Sequence, residues 1–236
     1  ALVKEDPNSS KILKPIIRGR DIHRYGYKWD GKYLVAVHYG MHKEIDSYPA
    51  IKKHLYSYRE TLESRAQVKR GDHHWIELDQ NPSSRYMQEL ASTKIIYPNI
   101  SSTFNVAYED EGFLVNQKCF YIVGGSIKFI LAVLNSSINF YYFKTIGASL
   151  GDSGYEMSKI FVKLLPIPNM TPLEQQQCVN IVDKILAITK SQGYSENSQE
   201  YEQVKSLMKQ IDNLLYSFYE LSDEQIELIE STTGPS

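Results

Sequence analysis

Cysteine is nearly absent: Cys119 and Cys178 are the only two among 236 residues, too few and too far apart for a disulfide framework or a zinc-binding spacing. A reducing cytoplasm is the plain reading of that count. No run of about 18 apolar residues occurs, so no membrane-spanning helix is expected. The segment Ala1–Pro15 lacks the basic-then-apolar layout of a secretory signal. It also lacks an initiator methionine and reaches Leu13-Lys14-Pro15 without preamble, which suggests a piece cut from a longer protein. Missing too are a phosphate-cradling G-x-x-x-x-G-K-[ST] loop, a G-x-G-x-x-G between strand and helix, internal repeats and low-complexity tracts. What is present suffices for a core: 42% of residues are apolar and 23% charged, which excludes wholesale disorder. The length suits one large domain or a domain with an appendage.

A net charge of −2 conceals a division. Residues 1–170 hold 22 basic against 17 acidic side chains, whereas residues 171–236 hold 4 against 11. Within Lys11–Arg70 the balance sharpens to 14 against 6. Such asymmetry suggests a basic working surface on a neutral or acidic scaffold. The alternative is that these cations merely solvate a surface.

Local patterns predict a mixed α/β (α+β) body over 1–170 and an antiparallel helical hairpin over 171–236. Gly19 permits a tight turn that would thrust Arg18 and Arg20 outward. Lys32–Tyr39 reads as a strand ended by Gly40. Ser47-Tyr48-Pro49 opens a helix with one apolar stripe, Ile51, Leu55, Tyr58, Leu62 and Ala66, opposite Lys52, Lys53, Arg59 and Arg65. Lys94–Tyr97 is a strand closed by Pro98, and Phe104–Tyr108 with Phe113–Asn116 suggests a hairpin around Glu109–Gly112. Phe120–Val123 continues the β character, Lys128–Phe143 is helical, and Gly147–Lys159 is a loop. Beyond it, Thr171-Pro172-Leu173-Glu174 is a helix start. Cys178, Ile181, Ile185 and Ile188 then face a seam of Val204, Met208, Ile211, Leu215 and Phe218 across the polar break Ser191–Ser198. Ser222-Asp223-Glu224-Gln225 begins a last short helix.

No catalytic, cofactor-binding or metal-binding constellation is expected in this chain. Asn81-Pro82-Ser83-Ser84 is only faintly similar to the Asn-Pro-Pro-Tyr motif of amino-methyltransferases, lacking the second proline and the stacking aromatic. His73 and His74 are adjacent, so they cannot ligate one metal from a single helix face; with His54 and Asp72 a site is imaginable, and a polar loop is the plainer reading. Glu109-Asp110-Glu111 reads as carboxylates solvated at a turn, and Cys119 as core.

Binding is better supported than catalysis. Arg18, Arg20, His23, Arg24, Tyr25, Tyr27, Lys28 and Trp29 interleave cations with aromatics, and Lys69-Arg70-Gly71-Asp72-His73-His74-Trp75 forms a second such cluster. Arginine suits bidentate contact with guanine edges or phosphates, and aromatic rings can stack or wedge. The bland reading is that the aromatics are core and the arginines pair with Asp21 and Asp30. Two clusters together with the basic segment favour nucleic acid.

Several phrases then resemble one family in order. They are Lys14-Pro15-Ile16-Ile17-Arg18-Gly19-Arg20-Asp21-Ile22 with Tyr25, Tyr48-Pro49 through Leu62-Glu63-Ser64-Arg65, and Lys94-Ile95-Ile96-Tyr97-Pro98. Leu131–Ser136, Leu165-Pro166-Ile167-Pro168 and the tail from Ile211 to Ile226 follow. Together they resemble the TaqI-like C-terminal specificity domain of adenine DNA methyltransferases and of fused type IIG restriction–modification enzymes, over nearly the whole chain. The resemblance implies a cytoplasmic target-recognition domain that reads double-stranded DNA. Catalysis would lie on a methyltransferase domain of the same polypeptide using S-adenosylmethionine, with magnesium if a nuclease is also fused. The expected DNA contacts are Arg18, Arg20, His23, Arg24, Tyr25 and Lys28, Lys52 and Lys53 on the helix, and Lys69, Arg70, His73 and His74 after it. Ser101 and Ser102, then Ser149, Ser153, Tyr155 and Lys159, complete the set from two further loops. Rival readings are a fragment of the specificity subunit of a multi-subunit type I system, a free-standing metal-dependent nuclease built on the histidines, and a helix-mediated scaffold.

Overall fold

The computed structural model describes residues 1–79, 84–191, 194–195 and 199–234. The chain divides into two compact units, Ala1–Ile16 with Gly31–Ala91, and Ile17–Asp30 with Ser92–Ser236. Among the described residues no helix is long and apolar enough to cross a membrane.

In the first unit, β1 (Leu13–Ile17) pairs antiparallel with β2 (Tyr33–Val35), Leu13 opposite Val35 and Pro15 opposite Tyr33. The strand expected over 32–39 is shorter because the Val37 amide turns back to the Val35 carbonyl, and Gly40 then takes a left-handed φ of 84°. Helix α1 (Pro49–Tyr56) starts at its proline as expected. It does not continue to Ala66. The Ser57 hydroxyl donates to the His54 carbonyl, Tyr58 leaves helical geometry (φ −113°, ψ 14°), and two short turns, Arg59–Glu63 and Ala66–Lys69, follow. The apolar stripe therefore breaks after Leu55, and Tyr58 is 54% exposed. Ile12, Val37, Ile45, Ile51, Leu55 and Trp75 make this unit's core. Helix α2 (Ser84–Ala91) buries Leu90.

The second unit is built on β3 (Lys94–Pro98), every residue of which is buried. Its neighbours are β5 (Ala107–Glu109) and β6 (Cys119–Ile122), both antiparallel to it, and β4 (Ile100–Ser101) follows β3 directly. The ladder partner of β5 is β3 and not the strand Leu114–Val115, so the expected hairpin does not form. Glu109 explains why. It is fully buried, ion-paired with buried Lys94, and accepts the amides of Glu111 (2.7 Å) and Phe113 (3.1 Å). The loop closes on this carboxylate, so, contrary to expectation, Glu109 is buried and not a solvated turn residue. Cys119 is half-buried, on the edge of a satellite core of Ile17, Ile22, Ile96, Ala107 and Phe113.

The helix expected over 128–143 is two helices, α3 (Ile127–Leu134) and α4 (Ser137–Ile146). Asn135 interrupts them because its amide pairs with the Val106 backbone, donating at 2.8 Å and accepting at 3.3 Å, while Ser136 caps α4. The loop expected after Gly147 contains β7 (Ala148–Ser149) and β8 (Tyr155–Glu156). Helix α5 (Pro172–Thr189) begins with the Thr171/Glu174 capping box, and α6 (Gln199–Phe218) packs back on it. Val204, Met208, Ile211 and Leu215 are buried in the seam as expected. Buried Asp212 accepts both the amide and the hydroxyl of Ser137 at 2.8 Å, tying α6 to the start of α4. The hairpin thus belongs to the second unit, which ends with α7 (Asp223–Thr233) behind a Ser222/Gln225 capping box. The result is the mixed α/β fold with a helical hairpin that local patterns predict.

Candidate nucleic-acid interface

The segment from Arg18 to Asp30 is latched at its base. The Arg18 guanidinium donates to Asp21 at 2.8 and 2.9 Å and to Asp30 at 2.8 Å, and the Arg18 amide donates to Asp21 at 3.0 Å. These hydrogen bonds hold the Asp21 carboxyl below its ordinary pKa and raise that of Arg18. Arg18 is thereby spent on structure, the bland reading of the sequence, while Arg20 is exposed. Gly19 sits where a Cβ would come 3.1 Å from the Lys118 carbonyl and 3.2 Å from the Pro98 ring, so the turn lies against the end of β3. Ile22–His23 then pairs with Gly26–Tyr27 in a tight hairpin whose corner, Tyr25, has φ of 65°.

Contrary to expectation, Tyr25 is not a surface contact. It is 1% exposed, its ring belongs to the main core, and its amide donates to Val106 at 2.8 Å. Burial drives its hydroxyl pKa far up, and no nucleic acid can touch it in this arrangement. Arg24 and His23 are half-buried and Lys28 is exposed.

Two recesses open along this segment. One, of about 420 Å³, is lined by Arg20, His23, Lys28 and Trp29 among others; the second, of about 730 Å³, shares the last three of these. The larger is walled by rings. Tyr27 and Trp29 pack on Phe113 (centroids 5.5 and 5.3 Å), and His23 stacks on Tyr194 at 6.2 Å with planes 28° apart. Tyr108 lies under the ammonium groups of Lys128 (5.5 Å) and Lys190 (5.6 Å), and Lys190 also pairs with Asp110 at 2.6 Å. Lys190 and Tyr194 lie between the two hairpin helices, at and within the polar break that the sequence shows without any binding role attached to it. The available signal was Tyr194 itself, the single aromatic in Ser191–Ser198.

A second place brings two expected loops together. β4, β8 and β7 form one small sheet in which Ser101 lies opposite Tyr155 and Tyr155 opposite Ser149. Gly154 makes this possible: its φ is 94°, and a Cβ would fall 2.4 Å from the Ser101 carbonyl oxygen. The Tyr155 ring packs on Phe140 and Phe143, so it is half-buried, whereas Ser102, Ser149, Ser153 and Lys159 are exposed. The Met157 amide donates to Asn99 at 2.7 Å, placing this sheet beside the end of β3. The Gly19 turn and the small sheet therefore flank the same Pro98–Asn99 corner.

The remaining expected contacts lie in the first unit. Lys69 and Arg70 are exposed, Arg70 pairing with Asp72 at 2.8 Å; Lys52 pairs with Asp46, and Lys53 with Glu5 at 3.2 Å. The His73 side chain is 4% exposed and 3.4 Å from Asp79, which leaves it little to offer a ligand. His74 stacks on His42 (4.5 Å, 12°), and burial first, then the neighbouring His42, lowers its pKa. Burial alone would raise the Glu77 carboxyl, but hydrogen bonds from His42 and from the His74 and Gly40 amides outweigh it and lower its pKa. His54 packs instead on Tyr58. Among the described residues no three His, Cys, Asp or Glu side chains are grouped to hold a metal. Asn81-Pro82-Ser83 lies outside the described residues.

Residues 14–167 match the family model of the TaqI-like C-terminal specificity domain. Over 224 residues, 93% of this chain, the sequence is 20% identical to the type II methyltransferase M.BstVI of Geobacillus stearothermophilus and covers 36% of that protein. Over 148 residues, 59% of this chain, it is 28% identical to the type II methyltransferase M.BanIII of Aneurinibacillus aneurinilyticus and covers 25% of it. The chain therefore spans well under half the length of either relative. The latched Arg18-Gly19-Arg20-Asp21 turn, the β3 strand and the Asn135-Ser136 break all fall within the matched span, and the chain belongs to the family of TaqI-like C-terminal specificity domains.

Proposed function

We propose that this chain is the sequence-reading part of an adenine DNA methyltransferase of a restriction–modification system and that it acts on duplex DNA in the cytoplasm. The family match over residues 14–167 carries the reading. The exposed cations Arg20, Lys28 and Lys159, set beside ring-walled recesses and a serine-bearing small sheet, support it, because such groups supply both phosphate contacts and base-edge donors. Lys52, Lys53, Lys69 and Arg70 would add phosphate contacts from the first unit. Arg18 positions the turn that carries Arg20. Methyl transfer from S-adenosylmethionine would belong to a separate domain of the same polypeptide, a reading supported by the 36% share of M.BstVI that the chain covers.

Selection from a random duplex pool with the whole chain tests this. One short consensus should be enriched, and its affinity should fall linearly in log[salt] as counterions are released. Arg20→Gln or Lys28→Gln should either relax one position of the consensus or lower the salt slope by about one. A pool that emerges with no preferred sequence would overturn the reading.

A further inference from the structure

Two imidazoles stacked face to face cover each other's faces and offer a ligand only their edges. In the first unit His42, in the turn Met41–Ser47, stacks on His74 with centroids 4.5 Å and planes 12° apart, which sets two such edges side by side. Both residues are half-buried, and neither Nε2 has a hydrogen-bond partner among the described residues. The Nδ1 atoms fix the tautomers. Glu77 is fully buried with its carboxyl pKa lowered, and an ionised carboxylate only accepts. His42 therefore donates to it from Nδ1 (2.6 Å) and keeps a bare lone pair on Nε2. His74 Nδ1 instead accepts the Ile76 amide at 3.4 Å, which leaves its proton on Nε2. Toward an anion the neutral pair presents one donor and one repelling lone pair.

A single added proton reverses the second of these. It belongs on His42, whose Nδ1–H already faces the Glu77 carboxylate; at His74, burial and the adjoining His42 outweigh Glu77 and keep the ring neutral. Among the surrounding charges, Arg59 and Glu63 act on His74 with opposite sign and pair with each other at 2.8 Å. Arg65 donates to the Trp75 and Glu77 carbonyls and pairs with Asp79 (2.9 Å), which also lies 3.4 Å from His73. Lys43 and Glu44 flank His42 in exposed positions. With the proton in place both Nε2 atoms donate, one of them from a cation, which suits the several acceptor oxygens of a phosphate.

We propose that the paired edges of His42 and His74 hold a backbone phosphate of the duplex, and that they do so when His42 is protonated. The inference rests on the DNA-reading proposal and deepens it, adding a contact that sets affinity through pH and carries no sequence information. Phosphate and proton then favour each other reciprocally.

The test titrates the whole chain with the selected duplex at pH 6 and pH 8 and one ionic strength. Affinity should fall about tenfold over that interval, the worth of one charge-assisted hydrogen bond. His42→Gln puts a neutral amide N–H in place of Nε2, so its affinity should be the same at both pH values. A second readout needs no variant. In 15N spectra of the unsubstituted chain, the midpoint of the His42 titration should rise by about one pH unit on adding duplex, the same tenfold by reciprocity. A tenfold fall that persists in folded His42→Gln, or a His42 midpoint that duplex does not move, would overturn the site. Sequence-selective binding that is equal at pH 6 and pH 8 would also overturn it and leave the DNA-reading proposal standing. Binding that follows pH through His42 with no preferred sequence would support the phosphate site and overturn the reading. No binding at either pH would overturn both.

Discussion

Glu109 and Lys94 form an ion pair with no solvent exposure on either side chain, and the pair supports an unequal set of hydrogen bonds. Glu109 additionally holds the amides of Glu111 and Phe113, so its loss takes the acceptor from two backbone donors and the counter-charge from a buried ammonium. Lys94→Met leaves Glu109 with those two amides. Breaking a buried pair from one side costs about 3–5 kcal/mol, and each hydrogen bond contributes about 1 kcal/mol. Glu109→Ala should therefore destabilise the second unit by about 2 kcal/mol more than Lys94→Met. Replacing both residues by Met removes the buried charges and should recover most of the loss, leaving about 2 kcal/mol for the two amides. Urea unfolding followed by tryptophan fluorescence can read this locally. The chain has two tryptophans, so Trp75→Phe leaves Trp29, which packs edge-on against Phe113, as the reporter of the unit concerned. A Lys94→Met variant as damaging as Glu109→Ala, or either costing under about 1 kcal/mol, would refute this account of the closed loop.

Leu215 is fully buried in the helical seam, so Leu215→Ala should cost about 2–5 kcal/mol, measured as a lowered unfolding midpoint. The Arg18 hydrogen bond lowers the Asp21 pKa from its ordinary 3.8, so the stability it lends is present above that value and is lost as the pH falls through the lower folded-state pKa. In Arg18→Gln the Asp21 titration followed by NMR should move upward; an unmoved titration would remove Arg18 as the latch. Gly154→Ala would put a Cβ 2.4 Å from the Ser101 carbonyl at a positive φ, so it should cost more than about 1 kcal/mol. Amide exchange in residues 148–156 should quicken, and unchanged protection would mean that the small sheet does not depend on this glycine.

Some of this protein could be read locally. The capping boxes at Thr171 and Ser222, the seam from Val204 to Leu215 and the proline that closes β3 depend on neighbours within about one or two helical turns, and side-chain spacing reports such interactions directly. The family phrases lie in the same class, since they follow the chain in order. The first arginine cluster was legible as composition, and its division of labour was not. Arg18 became a latch chiefly through Asp21, three residues away, with one further bond to Asp30, a pairing the sequence offered only as an alternative; Tyr25 became core because its amide met Val106. Tertiary structure likewise split one apparent helix at Asn135, whose partner is 29 residues distant, and buried Glu109 against Lys94. It also carried Tyr194 and Lys190 from an interhelical break to the wall of a recess that opens among residues 23–29. The common reason is that a polar side chain is driven to its position by whichever distant group can satisfy it on leaving water. Periodicity records which face of an element is apolar, and it carries no information about which buried partner waits there.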